Sequence, residues 1–249
     1  MVKNICMKIF VGDTYAHMSK LAANDVVNIM QTRKGALICT ASGDSPAGLY
    51  REIAEMVSGK QLNTSDWFFV GLDEWIPMNG NDEGSCRYHL NNQLFHALKT
   101  GEDKICFFDG RAKDLEAECQ RTENFIDHHG GIDVAILGVG MNGHVGMNEP
   151  GTSVSTRSHV ADLALTTQQV GQKYFTKEQK LTKGITLGLS TLINARNIIL
   201  VISGKHKAQI VQQILEEPVS ESLPATLLRN HPALRIYLDS DAASKIIAP

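Results

Sequence analysis

Two short runs, Ile132 to Leu137 and Ile198 to Ser203, read as strands buried on both faces, and each leads directly into a glycine-bearing polar loop. A strand without a polar face needs cover on both sides, which selects a parallel sheet between helical layers. Much of the chain repeats this pattern. Strands are predicted at Met7 to Val11, Ala36 to Thr40, Trp67 to Leu72, Ile105 to Phe108, His159 to Leu163 and Arg235 to Leu238. Between them lie amphipathic stretches. One helix is predicted from an Asp13 N-cap to Gln31. Another starts at Pro46, carries Leu49, Ile53 and Met56 on one face, and stops near Gly59. Others are predicted over Arg87 to Leu98, over Lys113 to His128, and after Gly188, Gly204 and Pro224. The expected fold is α/β, a doubly wound, mostly parallel sheet with helices on both faces. With no repeat, low-complexity tract or Pro/Gly/Ser-rich linker, residues 1–249 are expected to form a single domain.

Composition narrows the function. A net charge of -3, from 24 basic and 27 acidic residues with no long run of one sign, argues against nucleic acid or an anionic membrane as partner. No apolar run approaches the roughly 18 residues that cross a bilayer, and the opening MVKNICMKIFVGD is not patterned as a signal peptide. The five cysteines, Cys6, Cys39, Cys86, Cys106 and Cys119, include no C-x-x-C pair, so neither a zinc site nor a disulfide framework is expected. Reduced thiols and a cytoplasmic location are the expectation.

Four polar clusters follow predicted strands: Ser42-Gly43-Asp44-Ser45, Asp73-Glu74, the loop 138–150, and Gly204-Lys205. In an open parallel sheet such points share one edge, where ligands bind. In the first cluster, small residues before a helix start let backbone N–H groups and the helix dipole meet an anion, without the G-K-[ST] ending of a P-loop. In the second, adjacent carboxylates cannot point the same way, so one can face the cleft as a base while the other turns away. In the third, GVGMNGHVGMNEP sets His144 near Glu149 in a loop that is costly to order, and a carboxylate there can fix the imidazole's tautomer and basicity. In the fourth, Ser203-Gly204-Lys205-His206-Lys207 puts cations at a helix start, against the dipole, where an anionic ligand would compensate them.

Taken together, these segments resemble the glucosamine-6-phosphate deaminase/isomerase family. The matching stretches are Ser42 to Pro46, Leu72 to Trp75, Asn142-Gly143-His144 with Asn148 to Ser153, Gly184 to Gly188 and Ser203 to Lys207. They span nearly the whole chain in order, and the NGH…NEPGTS stretch is the most specific. The resemblance implies a Rossmann-like fold and a hexosamine 6-phosphate as substrate, isomerised from aldose to ketose with release of ammonia. It implies no cofactor; a monomer or small homo-oligomer is expected. Asp73 is implied as the base at C2 and His144 as the ring-opening acid/base, supported by Glu149. Ser42, Gly43, Asp44, Ser45 and Lys207 are implied at the phosphate. Lys173 falls near a phosphate-binding arginine of relatives, keeping the charge but not the bidentate fork. Asn142 stands where many relatives carry aspartate, and can orient His144 without adding charge. Trp75, Gly84-Ser85-Cys86, Gly184 to Leu189 and Asn194-Ala195-Arg196 look more like the galactosamine-6-phosphate branch. Two alternatives are weighed. A 6-phosphogluconolactonase shares the fold, but its pattern lacks the Asn-Glu-Pro that ends this loop. A non-catalytic sugar-phosphate sensor would be expected to lose Asp73 or His144.

Overall fold

The computed structural model describes residues 7–246, so Cys6 and the first half of the N-terminal segment lie outside the described residues. In chain order the strands are β1 (Lys8–Gly12), β2 (Leu37–Thr40), β3 (Phe68–Gly71), β4 (Asp73–Ile76), β5 (Ile105–Cys106), β6 (Val134–Leu137), β7 (His159–Asp162), β8 (Lys183–Thr186), β9 (Asn197–Ile202) and β10 (Leu234–Asp239). The α-helices are α1 (Tyr15–Met30), α2 (Asp44–Ser58), α3 (Cys86–Leu90), α4 (His96–Leu98), α5 (Leu115–His128), α6 (Leu165–Gly171), α7 (Leu189–Ile193) and α8 (Ala208–Glu216).

The main sheet runs β1-β10-β9-β6-β2-β3-β5, with every neighbouring pair parallel. Alternation along its strands divides the apolar core. Val134, Ile136, Ile199 and Val201 join the layer containing Met18, Val26, Leu49 and Ile53 of α1 and α2. Ala135, Leu137, Ile198, Leu200 and Ile202 join the other, with Cys119 and Ile126 of α5 and Ile210 and Ile214 of α8. The central strands β6 and β9 are apolar from Val134 to Leu137 and from Ile198 to Ile202 because both faces are covered. The expected α/β, Rossmann-like fold with helices on both faces is the one observed.

Several local expectations are corrected. Thr14, not Asp13, caps α1, its side chain accepting from His17 N–H. Helix α2 begins at Asp44, before Pro46, because Gly43 in a left-handed conformation (φ 113°) turns the chain in at once. Helix α3 begins at Cys86 and passes through a π-helical turn, Asn91–Phe95, before α4. A 3-10 helix, Pro224–Asn230, replaces the helix expected after Pro224. The main sheet also loses a member. His159–Asp162 lies in a separate antiparallel sheet, β4-β8-β7, to which Asp73–Ile76 and the unpredicted Lys183–Thr186 also belong. Leu72 is the seam. Its N–H donates to Thr40 O of the main sheet, while its carbonyl accepts from Leu187 N–H, both at about 3 Å.

Asp133 marks the amino end of β6, which is why that strand starts at Val134 rather than Ile132. The carboxylate is 4% exposed and takes both oxygens to Arg33 at 2.7 and 2.8 Å, one to Arg196 at 3.1 Å and one to Leu37 N–H at 2.8 Å. It thus ties the starts of β2, β6 and β9 together. Replacing it with alanine strips three donors of a charged acceptor, although both arginines can rehydrate. Asp133→Ala is expected to lower the stability from urea unfolding by about 2–3 kcal/mol at unchanged m-value, and an unchanged midpoint would refute the clamp.

Candidate active site

The carboxyl ends of β2, β3, β6 and β9 open on one cavity of about 240 Å³. That is below the roughly 300–1,000 Å³ of drug-sized sites and suits a small metabolite. The four clusters all reach it. Ser42, Gly43, Asp44 and Ser45 line it from the start of α2, Asp73 from the seam, Gly138 to Met141 and His144 from the loop after β6, and Gly204 and Lys207 from the turn after β9. Lys173 lines it from across the mouth. Asn142 and Glu149 do not; they stand behind His144.

Asp73 and Glu74 point opposite ways, as adjacent strand residues must. Glu74 is fully buried and accepts three backbone hydrogen bonds, from Trp75 at 2.9 Å, Cys86 at 2.8 Å and Arg87 at 3.0 Å. Two of these come from the first residues of α3, so Glu74 also meets that helix's dipole. Burial still pushes it up to about 7 against the pull of those N–H groups. Asp73 has no such support. Burial raises its carboxyl to about 6, offset by the Cys86 thiol alone. A carboxylate near neutrality, facing a cavity, is suited to take a proton from carbon and return it.

His144 packs on Gly140 so closely that a Cβ there would lie 2.1 Å from the ring, so only glycine fits. Behind the ring runs a relay. Asn142 Nδ2 donates to Glu149 Oε2 at 2.7 Å, and His144 Nδ1 meets Asn142 Oδ1 at 2.7 Å. The carboxylate can only accept, so it fixes which way the amide faces, and the amide oxygen in turn requires the proton on Nδ1. Nε2 is left as the basic nitrogen. Burial holds His144 below the usual imidazole value, against the pull of Glu149, and the Lys207 charge adds to the fall. The direct His144–Glu149 separation is 3.7 Å, so the expected carboxylate support acts chiefly through Asn142.

At the other end, Gly43 opens α2 without a side-chain cap, leaving the helix's first N–H groups to the cavity. Lys207 Nζ donates to Val139 O at 2.6 Å, and burial with the nearby Lys173 charge pushes it down to about 8. A buried ammonium with only a backbone carbonyl as hydrogen-bond partner and a second ammonium nearby fits an anionic ligand.

Some contributors carry no signal at a strand end. Thr167 Oγ1 lies 3.2 Å from His144 Nδ1, Ala164 N–H donates to Glu149 at 3.2 Å, and Thr166, Val170 and Tyr174 join the cavity wall. All follow β7, in the small sheet, where the strand-edge rule does not apply. Asp239, 5% exposed at the end of β10, accepts from Gly204 N–H with both oxygens at 3.0 Å and so sets the turn that carries Lys207. The Gly184 to Gly188 segment proves to be support. A Cβ on Gly184 would strike Met147, Thr186 Oγ1 accepts from Met147 N–H at 3.2 Å, and a Cβ on Gly188 would strike the Arg157 carbonyl. Among the described residues no cluster of three or more histidine, cysteine, aspartate or glutamate side chains could hold a metal, and no helix is long and apolar enough to cross a membrane.

Residues 12–236 match the family model described as glucosamine-6-phosphate isomerases/6-phosphogluconolactonase. A glucosamine-6-phosphate deaminase of Bacillus velezensis is 34% identical over 95% of this chain and 99% of its own. Glucosamine-6-phosphate deaminase 1 of Bacillus subtilis is 34% identical over 96% and 99%. A solved monomeric glucosamine-6-phosphate deaminase superposes with a TM-score of 0.93 at 34% identity, over 96% of this chain and all of that one. The 6-phosphogluconolactonase of Trypanosoma brucei, at 19% identity and a TM-score of 0.76, shares the fold. The sheet, its ligand edge and these likenesses lead to one conclusion: the chain belongs to the glucosamine-6-phosphate isomerase/6-phosphogluconolactonase family.

Proposed function

We propose that this chain is an enzyme that isomerises a hexosamine 6-phosphate to the ketose 6-phosphate and releases ammonia. One observation carries the reading: a carboxylate poised near neutrality, Asp73, shares a small cavity with a tautomer-fixed imidazole and two lysines. The phosphate sits on the start of α2, at Ser42, Gly43, Ser45 and the backbone N–H of Asp44, with Lys207 and Lys173 supplying charge. Its binding holds the reacting end in register. His144 takes the proton of the C1 hydroxyl at Nε2 and returns it to the ring oxygen, opening the ring. Asp73 then removes the C2 proton and delivers it to C1 through an enolamine. The C2 imine takes up water and releases ammonia, leaving a carbonyl at C2. The lactonase alternative shares the family and the fold, but has no use for a carboxylate that moves a proton between carbons.

The finer proposal concerns C4. The galactosamine-branch features divide on inspection: Trp75 and Cys86 line the cavity, whereas Gly184 packs on Met147 and Arg196 pairs with Asp133 at the far end of the sheet. Trp75 and Cys86 are thus the two of these positions that can meet the sugar. We infer galactosamine 6-phosphate as the preferred substrate, with tagatose 6-phosphate as product. A site built to hydrogen-bond one epimer leaves a polar group unpaired with the other, worth about 1–3 kcal/mol. The ratio of kcat/KM for galactosamine and glucosamine 6-phosphates decides this, and a preference for the glucosamine epimer reverses the branch while leaving the reaction in place.

Asp73→Asn tests the reaction itself. Turnover should fall by about a hundredfold to ten-thousandfold, and solvent exchange of the C2 hydrogen should stop; continued exchange would remove Asp73 from the mechanism. The same variant should be more stable at pH 8. A carboxyl raised in the folded state favours the protonated form, so its contribution is full below the unfolded value and is lost as pH rises through about 6. The amide avoids that loss, a gain of about 1–2 kcal/mol once solvent in the cavity is allowed for. For the wild-type enzyme, kcat/KM should rise through pH about 6 as Asp73 ionises and fall through about 8 as Lys207 loses its proton. A profile flat across that span would sink both assignments.

A further inference from the structure

Lys173 Nζ is 2.6 Å from Asp44 Oδ2, and that contact joins two cavity walls. Asp44 is the first residue of α2, within the loop assigned to the phosphate. Lys173 lies in the 3-10 turn Gln172–Tyr174 that follows α6. The Asp44 carboxylate does not cap its own helix, since Gly43 holds the N-cap position and no side-chain cap bond is made. It is an anion at the mouth of an anion site, attached to a cation of that site. Both side chains are well exposed, 46% for Lys173 and 75% for Asp44, so water competes for the pair and it is readily exchanged.

We propose that Asp44 is a built-in rival of the substrate phosphate, holding Lys173 in the empty site and setting the affinity for the phosphorylated ligand. This rests on the sugar-phosphate reading above. An ammonium carries one positive charge, and paired with a carboxylate at 2.6 Å it presents almost none to an incoming dianion. Binding therefore requires Lys173 to change partner, and the displaced carboxylate then faces the phosphate with like charge. Lys207 keeps a separate hydrogen bond, its Nζ donating to the Val139 carbonyl, although the charges of both Lys173 and Asp44 reach it. Asp44 acts on the ligand through Lys173 and touches no reacting atom, so it is a positioning residue with a negative effect on affinity. The opposite role, in which the carboxylate aims Lys173 at the phosphate, makes the opposite prediction.

The test compares wild type, Asp44→Asn, Asp44→Glu, Lys173→Ala and the Asp44→Asn/Lys173→Ala double variant. Ammonia release from glucosamine and galactosamine 6-phosphates is measured alongside calorimetric binding of inorganic phosphate. Asp44→Asn should lower KM and the phosphate Kd by about threefold, with the change in KM rather than kcat. Asp44→Glu keeps the charge and should keep the higher KM. Lys173→Ala should weaken phosphate binding, and adding Asp44→Asn to it should recover little. A KM that rises in Asp44→Asn overturns the proposal in favour of the aiming role. An unchanged KM, or a fall just as large without Lys173, overturns it outright. If no ammonia is released by wild type but the calorimetric pattern holds, the rivalry stands and the reaction reading fails instead.

Discussion

The site depends on where Glu74 is tied. Three backbone N–H groups converge on a carboxylate with no access to water, and two belong to the start of α3. This bond set draws the chain away from the main sheet one residue past Gly71 and sends it into the small antiparallel sheet. It also seats Cys86 against the cavity. With Glu74 pinned on one side of the strand, pleating alone turns Asp73 to the other, toward the cavity. The buried carboxylate with many donors and its neighbour with few thus form one device: the first fixes the geometry, and the second is left unsatisfied enough to react.

The same division between held and unheld groups recurs around His144. Glu149 is satisfied by Asn142 and by the Ala164 N–H, and Asn142 is engaged on both sides of its amide. What remains free is a single imidazole nitrogen. An amide between carboxylate and imidazole transmits orientation well and charge poorly, so the ring stays neutral in a buried setting that already disfavours its cation. Lys207 gives the cationic counterpart, an ammonium pressed toward neutrality by burial and a like charge, with a backbone carbonyl as its hydrogen-bond partner. In the proposed reaction the ligand's negative charge restores the Lys207 cation, whereas His144 is already neutral, the form in which it accepts a proton.

Much of this was legible in the chain, and the parts that were not share a cause. Strands buried on both faces, such as Asn197–Ile202, announce themselves by composition, and loops at their carboxyl ends then fall together by topology. The opposed roles of Asp73 and Glu74 followed from strand geometry. The small sheet was hidden because its partners lie far apart in sequence and pair antiparallel, with Thr186 paired to both Asp73 and His159. The wall from Ala164 to Tyr174 hangs from that sheet and, Lys173 apart, was missed with it. Asp239 and Asp133 were missed for another reason. Each carboxylate serves backbone N–H groups or partners distant in sequence, and no local spacing encodes that.

The seam at Leu72 acts as a ruler. The loop proposed for the phosphate belongs to the main sheet and the Asp73 carboxylate to the small one, and Leu72 is hydrogen-bonded to both, to Thr40 on one side and Leu187 on the other. The interval between the two is therefore set by backbone, not by adjustable side chains. A ligand gripped at its phosphate presents to Asp73 whichever carbon lies that far along its skeleton. Under the proposed reaction, substrate length is measured before any hydroxyl is read, and a sugar one carbon shorter would set the wrong C–H bond opposite the base. Enlarging the substrate range would then mean moving one sheet against the other.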